Sequence, residues 1–536
     1  MMDTFAKARN IPNIHSTKPE AYSDITNASF SRKKVMLVLP NHHWATAEEN
    51  YTMWIIHPTQ ICLLAAQIED KYDVKIIDCI IDDLSEKEFE EIIRKEQPDV
   101  VGISNFTQEY SKAGHLAAAI VKKINPSIIT IMGGVYVIST PHSAMKDSNV
   151  DFAIRGEAEL LIKEFLEHLF ENAPLPEKGL LYRKNNEVII PPRNDFIKDL
   201  DALKYPAYHL VDFLKYAKRY PREATGRPRE LPFARLSMTR GCPIGCTFCQ
   251  VESISGAITR YRSAEHFVGE IELLIKNYGI KCFSFDDDNM FMNKNKAKEM
   301  LKLIIQRNLN ITWQMDAAAI FCIDEECIEL AAQSGCVYLN FAVESGSPRV
   351  LREIIKKPID IERTKEMAKK IQVAGIDTVA NFIIGSPGET WDEIRQTIKY
   401  AEGLDVDYIK IFVCTPLANT KMFQTAVEMG YLDKDFDFAK HDWSGGTFDT
   451  PHWRARDLAV LRAYEWDRIN FANPIRKKKI MKMMDMTEER LDEIRWATRV
   501  RANPDNNFIN KEKQKVNSYT TTKEKTIGEP KKKLTE

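Results

Sequence analysis

Long hydrophobic runs are missing from this 536-residue chain, which nowhere has the roughly 18 consecutive apolar residues that a membrane-spanning helix needs. The sequence therefore predicts no membrane span. The N-terminal residues also lack the apolar stretch of a signal peptide, so we expect a cytoplasmic protein. The formal net charge is only −2, and no broad positive field points to a nucleic-acid partner.

Cysteine is scarce as well, with ten residues in the whole chain. Those scattered through apolar or helical surroundings are Cys62, Cys79, Cys282, Cys322, Cys327, Cys336 and Cys414. The remaining three cluster at Cys242, Cys246 and Cys249. In a chain without export signals, clustered cysteines indicate a metal site more often than disulfides.

Short apolar runs alternate with helix-like segments between residues 33 and 175. The strand-like runs are VMLVLP (35–40), VKIID (74–78), DVVGIS (99–104), IITIM (128–132) and DFAI (151–154). The helix-like segments are 59–70, 85–96 and 111–124. This alternation predicts an α/β domain of the Rossmann-like, flavodoxin-like type, whose parallel sheet binds ligands at the carboxyl ends of its strands. The polar residues 1–32 are expected to form a flexible arm.

A second alternating series follows a proline-rich connector, residues 176–230. Its strand-like runs are FARLSMT (233–239), CFSF (282–285), TWQM (312–315), YLNFAV (338–343), VANFII (379–384) and YIKIFV (408–413). The helical segments after the first five runs are 263–278, 294–308, 324–334, 347–374 and 390–403. These units predict a partial (β/α)6 barrel of the TIM type over residues 231–425. Residues 426–500 are expected to be mainly helical, and the polar tail 501–536 to be disordered.

The stretch TRGCPIGCTFCQ (239–250) spaces its cysteines as C-x3-C-x2-C directly after the first barrel strand. Three thiolates on one tight loop can bind three irons of a [4Fe-4S] cube, which leaves the fourth iron open to a ligand. Gly241 and Gly245 let the backbone wrap closely. The alternative is a structural zinc loop or free thiols, but zinc needs a fourth ligand, and no Cys or His follows within the next few residues.

This spacing, with Phe248 before the last cysteine, resembles the signature of the radical S-adenosylmethionine (SAM) superfamily. The resemblance implies that the open iron binds the methionine moiety of SAM and that reductive cleavage of SAM yields a 5′-deoxyadenosyl radical. Cys242, Cys246 and Cys249 would be the metal ligands and the catalytic residues, and the backbone near Phe248 would meet the adenine. It also implies an electron donor such as ferredoxin or flavodoxin.

Three more segments resemble this family at the carboxyl ends of barrel strands, where barrel active sites lie. They are FSFDDDNMF (283–291), VESGSPRVL (343–351) and NFIIGSPGET (381–390). The cofactor-binding residues implied there are Asp286, Asp287, Glu344, Ser345 and Gly385. The aspartates would lie near the amino group of SAM, the Glu–Ser pair near its ribose or carboxylate, and the glycine near its adenine. The alternatives are a solvated acidic turn and a plain strand–turn–helix junction capped by Thr390.

The first domain resembles the cobalamin-binding domain that precedes the barrel in one branch of this superfamily. The matching segments are DVVGISNFTQEY (99–110), IMGGVYV (131–137) and DFAIRGEAE (151–159). The cobalamin-binding residues implied there are Ser104, Thr107, Gly133, Gly134, Gly156 and Glu157. The glycine pair would let the backbone approach the nucleotide tail. The chain lacks the D-x-H-x-x-G pattern whose histidine ligates cobalt in many such proteins, so a cobalamin-free domain that acts as a lid is the alternative.

These features favour a cobalamin-dependent radical SAM methyltransferase that acts on an unactivated carbon or phosphorus centre of a small molecule. An oxidative cyclase or ring-rearranging enzyme of the same branch is the first alternative. A cobalamin-binding sensor with an idle barrel is an alternative from another class. A tRNA methylthiotransferase fits poorly, because it would need three further N-terminal cysteines and only Cys62 and Cys79 precede the barrel.

Overall fold

The computed structural model of the protein describes residues 32–45, 57–108, 110–218, 230–438 and 445–503. The arm expected over 1–32 and the tail expected over 501–536 lie almost wholly outside these ranges. Within them, no helix is both long enough and apolar enough to cross a membrane.

The first unit is a mostly parallel sheet. Its strands are β1 (Lys34–Leu39), β2 (Asp73–Asp78), β3 (Val100–Ser104), β4 (Ile129–Gly133), β5 (Phe152–Ile154), β6 (Leu180–Lys184) and β7 (Glu187–Ile189). Their spatial order is β2-β1-β3-β4-β5-β6-β7. The first five strands are parallel, as the sequence predicts, whereas β6 and β7 are antiparallel. The sheet extends beyond residue 175 into the expected connector because left-handed Asn185 and Asn186 form a two-residue hairpin turn.

Helices cover both faces of this sheet. They are α1 (Thr59–Ala66), α2 (Glu86–Glu96), α3 (Ser111–Ile124), α4 (Val135–Ser139), α5 (Pro141–Lys146) and α6 (Ala158–Glu171). Ile61 of α1 and Phe165 of α6 belong to the apolar core of one face. Phe89 of α2 and Val121 of α3 belong to that of the other. This arrangement confirms the predicted Rossmann-like domain.

The second unit is built around the residues of the cysteine motif. Its strands are β8 (Phe233–Leu236), β9 (Thr239–Arg240), β10 (Arg260–Tyr261), β11 (Cys282–Phe285), β12 (Thr312–Ala318), β13 (Cys336–Glu344), β14 (Asp377–Ile384) and β15 (Tyr408–Val413). β9 and β10 form a small antiparallel pair. The other strands form a parallel sheet in the order β8-β11-β12-β13-β14-β15, which confirms the predicted partial barrel.

Helices alternate with these strands and continue beyond them. They are α7 (Phe213–Ala217), α8 (Val251–Ile254), α9 (Ala264–Tyr278), α10 (Lys294–Gln306), α11 (Glu325–Gln333), α12 (Ile361–Val373), α13 (Trp391–Gly403), α14 (Lys421–Glu428), α15 (Ala455–Phe471), α16 (Pro474–Met484) and α17 (Glu488–Ala502). Short 3₁₀ helices span His42–Trp44, Leu200–Ala202, Tyr208–Leu210, Met290–Met292 and Ile320–Cys322. A π-helix (Val350–Ile355) and a left-handed Lys356 replace part of the single helix expected over 347–374.

The core of the barrel lies between the strands and the surrounding helices. Phe285 of β11 packs against Phe267 of α9 with ring centroids 5.2 Å apart. On the last strand, the amide of Asn470 in α15 donates to the Ile409 carbonyl over 2.8 Å and accepts from the Ile409 N–H over 2.9 Å. The mainly helical C-terminal region therefore covers the open edge of the sheet, which an edge strand otherwise exposes.

Candidate active site

The three clustered cysteines lie on the loop between β9 and α8, and all are half-buried free thiols. The Cys249 N–H donates to the Cys246 carbonyl over 3.0 Å, which turns the loop tightly. The Cys242 N–H donates to the Gly256 carbonyl over 3.0 Å. The sulfur of Cys249 accepts from the Val251 N–H over 3.4 Å. The backbone thus fixes the loop before any metal is considered.

Side chains from elsewhere in the barrel also hold this loop. Thr247 donates through its hydroxyl to the Ile354 carbonyl over 2.7 Å and through its N–H to the Ile355 carbonyl over 3.0 Å. Gly241 is left-handed, and its N–H donates to a carboxylate oxygen of Asp288 over 2.7 Å. A Cβ at Gly241 would lie 2.3 Å from the Ile258 carbonyl oxygen, so only glycine fits there.

The donor set fits an iron–sulfur cluster better than a single ion. Among the described residues, no group of three His, Cys, Asp or Glu side chains is arranged to hold one metal ion. The cysteines of a [4Fe-4S] cube bind three different irons, so they stand farther apart than the ligands of a single ion. Burial raises the pKa of the Cys246 thiol to about 12 and that of Cys249 to about 11, and binding iron would release these protons.

A fourth cysteine lies beside this loop, which the sequence pattern did not reveal. The amide nitrogen of Asn289 is 3.7 Å from the sulfur of Cys242 and 3.8 Å from the sulfur of Cys322. Cys322 is buried in the 3₁₀ helix after β12. The only sequence signal for Asn289 is its position directly after the run of three aspartates, and Cys322 has no such signal.

The aspartates after β11 play different structural parts. Asp286 forms an ion pair with Arg235 of β8. Asp287 is buried, and its Oδ1 accepts from the backbone N–H groups of Met238 and Thr239 over 3.0 and 2.6 Å. Burial raises the pKa of Asp287 to about 7. Asp287 therefore steers the chain that leads into the cysteine loop.

Glu344 ends β13 in a left-handed conformation that non-glycine residues rarely adopt. Its carboxylate forms an ion pair with Lys357 over 2.7 Å, and the two side chains are only 5% and 9% exposed. Lys357 also donates to the Ala342 carbonyl over 2.8 Å. The sequence pattern pointed to Glu344 but not to its partner, because Lys357 lies in an ordinary turn after the π-helix.

Two of the expected SAM-contacting residues have other partners. Ser345 is fully buried, and its hydroxyl lies 2.9 Å from the Thr397 hydroxyl in α13. The N–H of left-handed Gly385 donates to the buried Glu389 carboxyl over 2.7 Å, and a Cβ there would lie 2.3 Å from Leu458 of α15. Ser345 holds a turn, and Gly385 makes room for α15. Phe248 is half-buried in the cysteine loop.

A cavity of about 570 Å³ lies between the two α/β units. From the first unit it is lined by expected cobalamin-binding residues: Ser104, Gly133, Gly134, Gly156 and Glu157. From the barrel it is lined by Arg235, Thr239, Asp286 and Asp288 among others. Thr107 is not among the residues that line it. The cavity thus brings the two predicted sites together, at the carboxyl ends of both sheets.

The glycines at this edge differ in what they allow. A Cβ at Gly133 would meet nothing within 4 Å, so this position opens directly onto the cavity. A Cβ at Gly134 would lie 2.3 Å from the Asn105 carbonyl oxygen, and one at Gly156 would lie 1.7 Å from the Asn194 side chain. Gly133 therefore fits a cradle for a large ligand, whereas the other two are required by contacts within the protein.

Glu157 joins the two units. Arg260 of β10 donates to both of its carboxylate oxygens over 2.8 and 2.7 Å, and the Ile197 N–H donates over 2.7 Å. Arg240 lies 3.3 Å from Glu157 and 2.6 Å from Glu159. Although burial opposes it, the arginines hold the pKa of Glu157 below its usual range.

Family models match both units of the chain. Residues 236–401 match the model of the radical SAM superfamily, and residues 54–166 match that of the B12 binding domain. An uncharacterized methyltransferase of Pyrococcus horikoshii is 33% identical over 401 residues, which are 74% of this chain and 84% of the relative. The chain belongs to the radical SAM superfamily, in its B12-binding branch.

Other members of this superfamily align over most of the chain. The cytidylyl-2-hydroxyethylphosphonate methyltransferase of Streptomyces wedmorensis is 27% identical and covers 80% of this chain and 89% of its own length. The anaerobic magnesium-protoporphyrin IX monomethyl ester cyclase of Rubrivivax gelatinosus is 26% identical, and the alignment spans 76% of this chain and 72% of the cyclase. Among solved structures, the cobalamin-dependent SAM radical enzyme OxsB, with aqua-cobalamin and SAM bound, shares the fold with a TM-score of 0.65 at 16% identity, covering 85% of this chain and 71% of OxsB.

Proposed function

We propose that this radical SAM protein is a cobalamin-dependent methyltransferase that acts on an unactivated carbon or phosphorus centre of a small molecule. The observation that carries the proposal is the cavity between the two α/β units, which is lined by Ser104 and Gly133 on one side and by Asp286 and Asp288 on the other. The two methyltransferase relatives, which align over most of their own lengths, favour methyl transfer.

The residues divide among three groups. Cys242, Cys246 and Cys249 would hold a [4Fe-4S] cluster, and Phe248, Glu344 and the aspartates after β11 would surround SAM. The edge with Ser104 and Gly133 would hold cobalamin. When bound, the cluster and SAM supply a carbon-centred radical, and cobalamin supplies the methyl group.

The protein's own part is to position and to shield. The Glu157–Arg260 contact is one of those that hold the two units against each other, so the faces of the cavity keep their spacing. Glu344 is neutralised by Lys357, so it can take part in hydrogen bonding without leaving an unpaired buried charge. The half-buried cysteine loop limits access of water to the reaction.

The partners follow from the same chemistry. Reduction of the cluster requires a one-electron donor, for which we propose a ferredoxin or flavodoxin. We propose a small molecule rather than a nucleic acid as substrate, in line with the net charge of −2. A cytoplasmic location stays a prediction from the sequence.

The first test is an anaerobic reconstitution with iron, sulfide and hydroxocobalamin, followed by desalting, an ultraviolet–visible spectrum and quantification of both metals. We expect about four irons and one cobalt per chain. Cys246→Ala should lose iron, whereas Cys327→Ala, a buried cysteine on α11 away from the loop, should keep it. Iron without cobalt would rule out the cobalamin mechanism.

Methyl-labelled SAM then separates the two enzyme classes. An oxidative cyclisation is the second candidate reaction, because the cyclase relative covers about as much of this chain as the two methyltransferases do. Label that appears in a small-molecule product supports methyl transfer. Substrate turnover without transfer of label, in a preparation that holds both metals, would contradict methyl transfer and favour the cyclase.

A further inference from the structure

The partial barrel has an outer side and an inner side, and the strands alternate between them. Outward-facing residues such as Phe285 and Ile411 belong to the core that the surrounding helices complete. On each strand, the residues that alternate with these outward-facing ones point to the inner side, because successive side chains of a strand face opposite sides. Arg235 of β8 and Lys410 of β15 each lie between two such core residues and so face the inner side. Asp316 of β12 lies beside an irregularity of its strand, near enough for these two charges to lower its pKa, so we place all three residues on one lumen.

One layer of the inner side is polar on every strand of this sheet. One residue from each strand forms the set Arg235, Ser284, Gln314, Asn340, Asn381 and Lys410. Ser284 pairs in register with Arg235 and with Gln314, and Asn381 pairs with Lys410. TIM-type barrels usually fill this space with branched apolar side chains. This layer of the lumen is therefore not filled by the apolar side chains of a packed core.

Several acceptor atoms in the lumen have no partner. The Oδ1 atoms of Asp316, Asn340 and Asn381 are buried and receive no hydrogen bond within the described part of the chain. Leaving a buried acceptor unpaired costs about 1–3 kcal/mol, so native proteins nearly always give such an atom a partner. These acceptors together call for a ligand that brings hydrogen-bond donors.

The charges in the lumen point to a second property of the ligand. Arg235 is already balanced by its ion pair with Asp286. Lys410 and Asp316 attract each other, yet no ion pair of 4 Å or less joins them among the described residues. An ammonium and a carboxylate that face one lumen without touching can hold opposite ends of a small molecule. Burial lowers the pKa of Lys410 to about 8 and raises that of Asp316 to about 6, and a bound ion at either would favour the charged form.

We propose that this lumen is the substrate pocket and that it takes a small acid that also carries an amino or hydroxyl group. The acidic group would bind Lys410, and the donor groups would bind Asp316, Asn340 and Asn381. The inference rests on the proposed function and narrows its substrate class. The acid is a carboxylate or a phosphonate, since both pair with an ammonium group. A large apolar tetrapyrrole fits this pocket poorly, because it would bury these groups without partners.

Equilibrium dialysis of labelled probes against the reconstituted holoenzyme with SAM tests the proposal. L-Serine represents a carboxylate, 2-aminoethylphosphonate represents a phosphonate, and ethanolamine lacks the acid. We expect one acid to bind at least tenfold more tightly than ethanolamine, and the better acid identifies the group. Lys410→Met should weaken that binding at least tenfold, whereas Lys399→Met, an exposed lysine on α13, should leave it unchanged.

Asp316→Asn is a second variant, in which the new side chain keeps the shape of the old one. It should fold and should bind the amino-bearing acids more weakly. Equal binding of acids and ethanolamine, or full binding by Lys410→Met, would overturn the proposal. Metal contents of the same wild-type preparation separate the two levels of inference. If iron and cobalt are retained but no acid binds selectively, the substrate class alone is refuted. If cobalt is not retained, the proposed function is refuted, and the dialysis still shows whether the lumen binds acids.

Discussion

Glu344 and Lys357 show how one residue in an unfavourable conformation is held at the site. The left-handed backbone at Glu344 is costly, and its buried carboxylate would be costlier still without the ammonium 2.7 Å away. Lys357→Met should therefore lower the free energy of unfolding by about 3 kcal/mol, because it leaves a buried charge unpaired. Urea denaturation of the metal-free protein measures the change.

The neighbouring Lys356 supplies the control for this variant, because it is exposed on the same turn. Lys356→Met should change stability by less than about 0.5 kcal/mol. A double variant with Glu344→Gln should recover part of the loss, since no unpaired charge remains. Equal effects of the two lysine variants would show that the buried pair contributes nothing specific.

Glu389 makes stability depend on pH. It is fully buried behind the Gly385–Ser386 turn, and burial raises its pKa to about 8 against backbone hydrogen bonds that lower it. The folded protein then keeps a proton that the unfolded chain releases above pH 4.5. The stabilisation from this group is complete below that pH and falls, by at most about 1.4 kcal/mol per pH unit, as the pH rises to 8.

Glu389→Gln should remove this dependence, because the amide stays neutral and its oxygen can accept the same N–H groups. Unfolding free energies at pH 5, 6, 7 and 8 should fall less steeply for the variant than for the wild type. Parallel profiles would mean that Glu389 is ionised in the folded protein throughout this range.

Residue identities in the site were predictable only where a local pattern carried them. Spacing alone singles out Cys242, Cys246 and Cys249, and the acidic run singles out Asp286 and Asp287. Lys357 and Cys322 were not predictable, because they reach the site through the turn after the π-helix and through a 3₁₀ helix. The hydrogen bond of Ser345 with Thr397 of α13 was not predictable either, because it depends on tertiary packing that the spacing of residues in the sequence does not encode.

At the scale of elements, the π-helix supports the cysteine loop. The Thr247 hydroxyl donates to the carbonyl of Ile354, within the π-helix, over 2.7 Å. Thr247→Val keeps the shape of the side chain but removes this hydrogen bond, so stability should fall by about 1 kcal/mol and the loop should loosen. Thr247→Ser keeps the hydroxyl and serves as the control.

Iron retained after desalting and amide exchange of the loop residues measure this prediction. The valine variant should keep less iron than the serine variant and exchange faster in the loop. Equal iron contents and exchange rates would show that the backbone contacts alone fix the loop.

The elements themselves followed closely from periodicity, and the differences have physical causes. The helix expected over 347–374 is interrupted where Lys356 is left-handed and Lys357 precedes Pro358, a position that disfavours helical backbone. The hairpin of β6 and β7 was missed because prolines around it suggested a connector, although Asn185 and Asn186 are typical turn residues. In both places the sequence carries the signal, but only over two or three residues.

At the scale of the whole molecule, the placement of the two units was not predictable, since no local pattern encodes which surfaces meet. One contact between them is that of Glu157 with Arg260, which lie about a hundred residues apart in the chain. Arg260→Gln should weaken the docking of the units, because the buried carboxylate of Glu157 loses its bidentate partner. Cobalamin, which we place between the units, should then be retained less well.

The cysteine loop keeps its contacts to Ile354 and Asp288 in this variant, so the iron content should stay close to that of the wild type. Arg363→Gln, on the exposed face of α12, should retain both metals. Cobalt and iron are quantified after the same desalting step for all three proteins. A parallel loss of both metals from Arg260→Gln would mean that the variant disrupts the barrel itself, whereas selective loss of cobalt would show that the spacing of the two units holds the corrinoid.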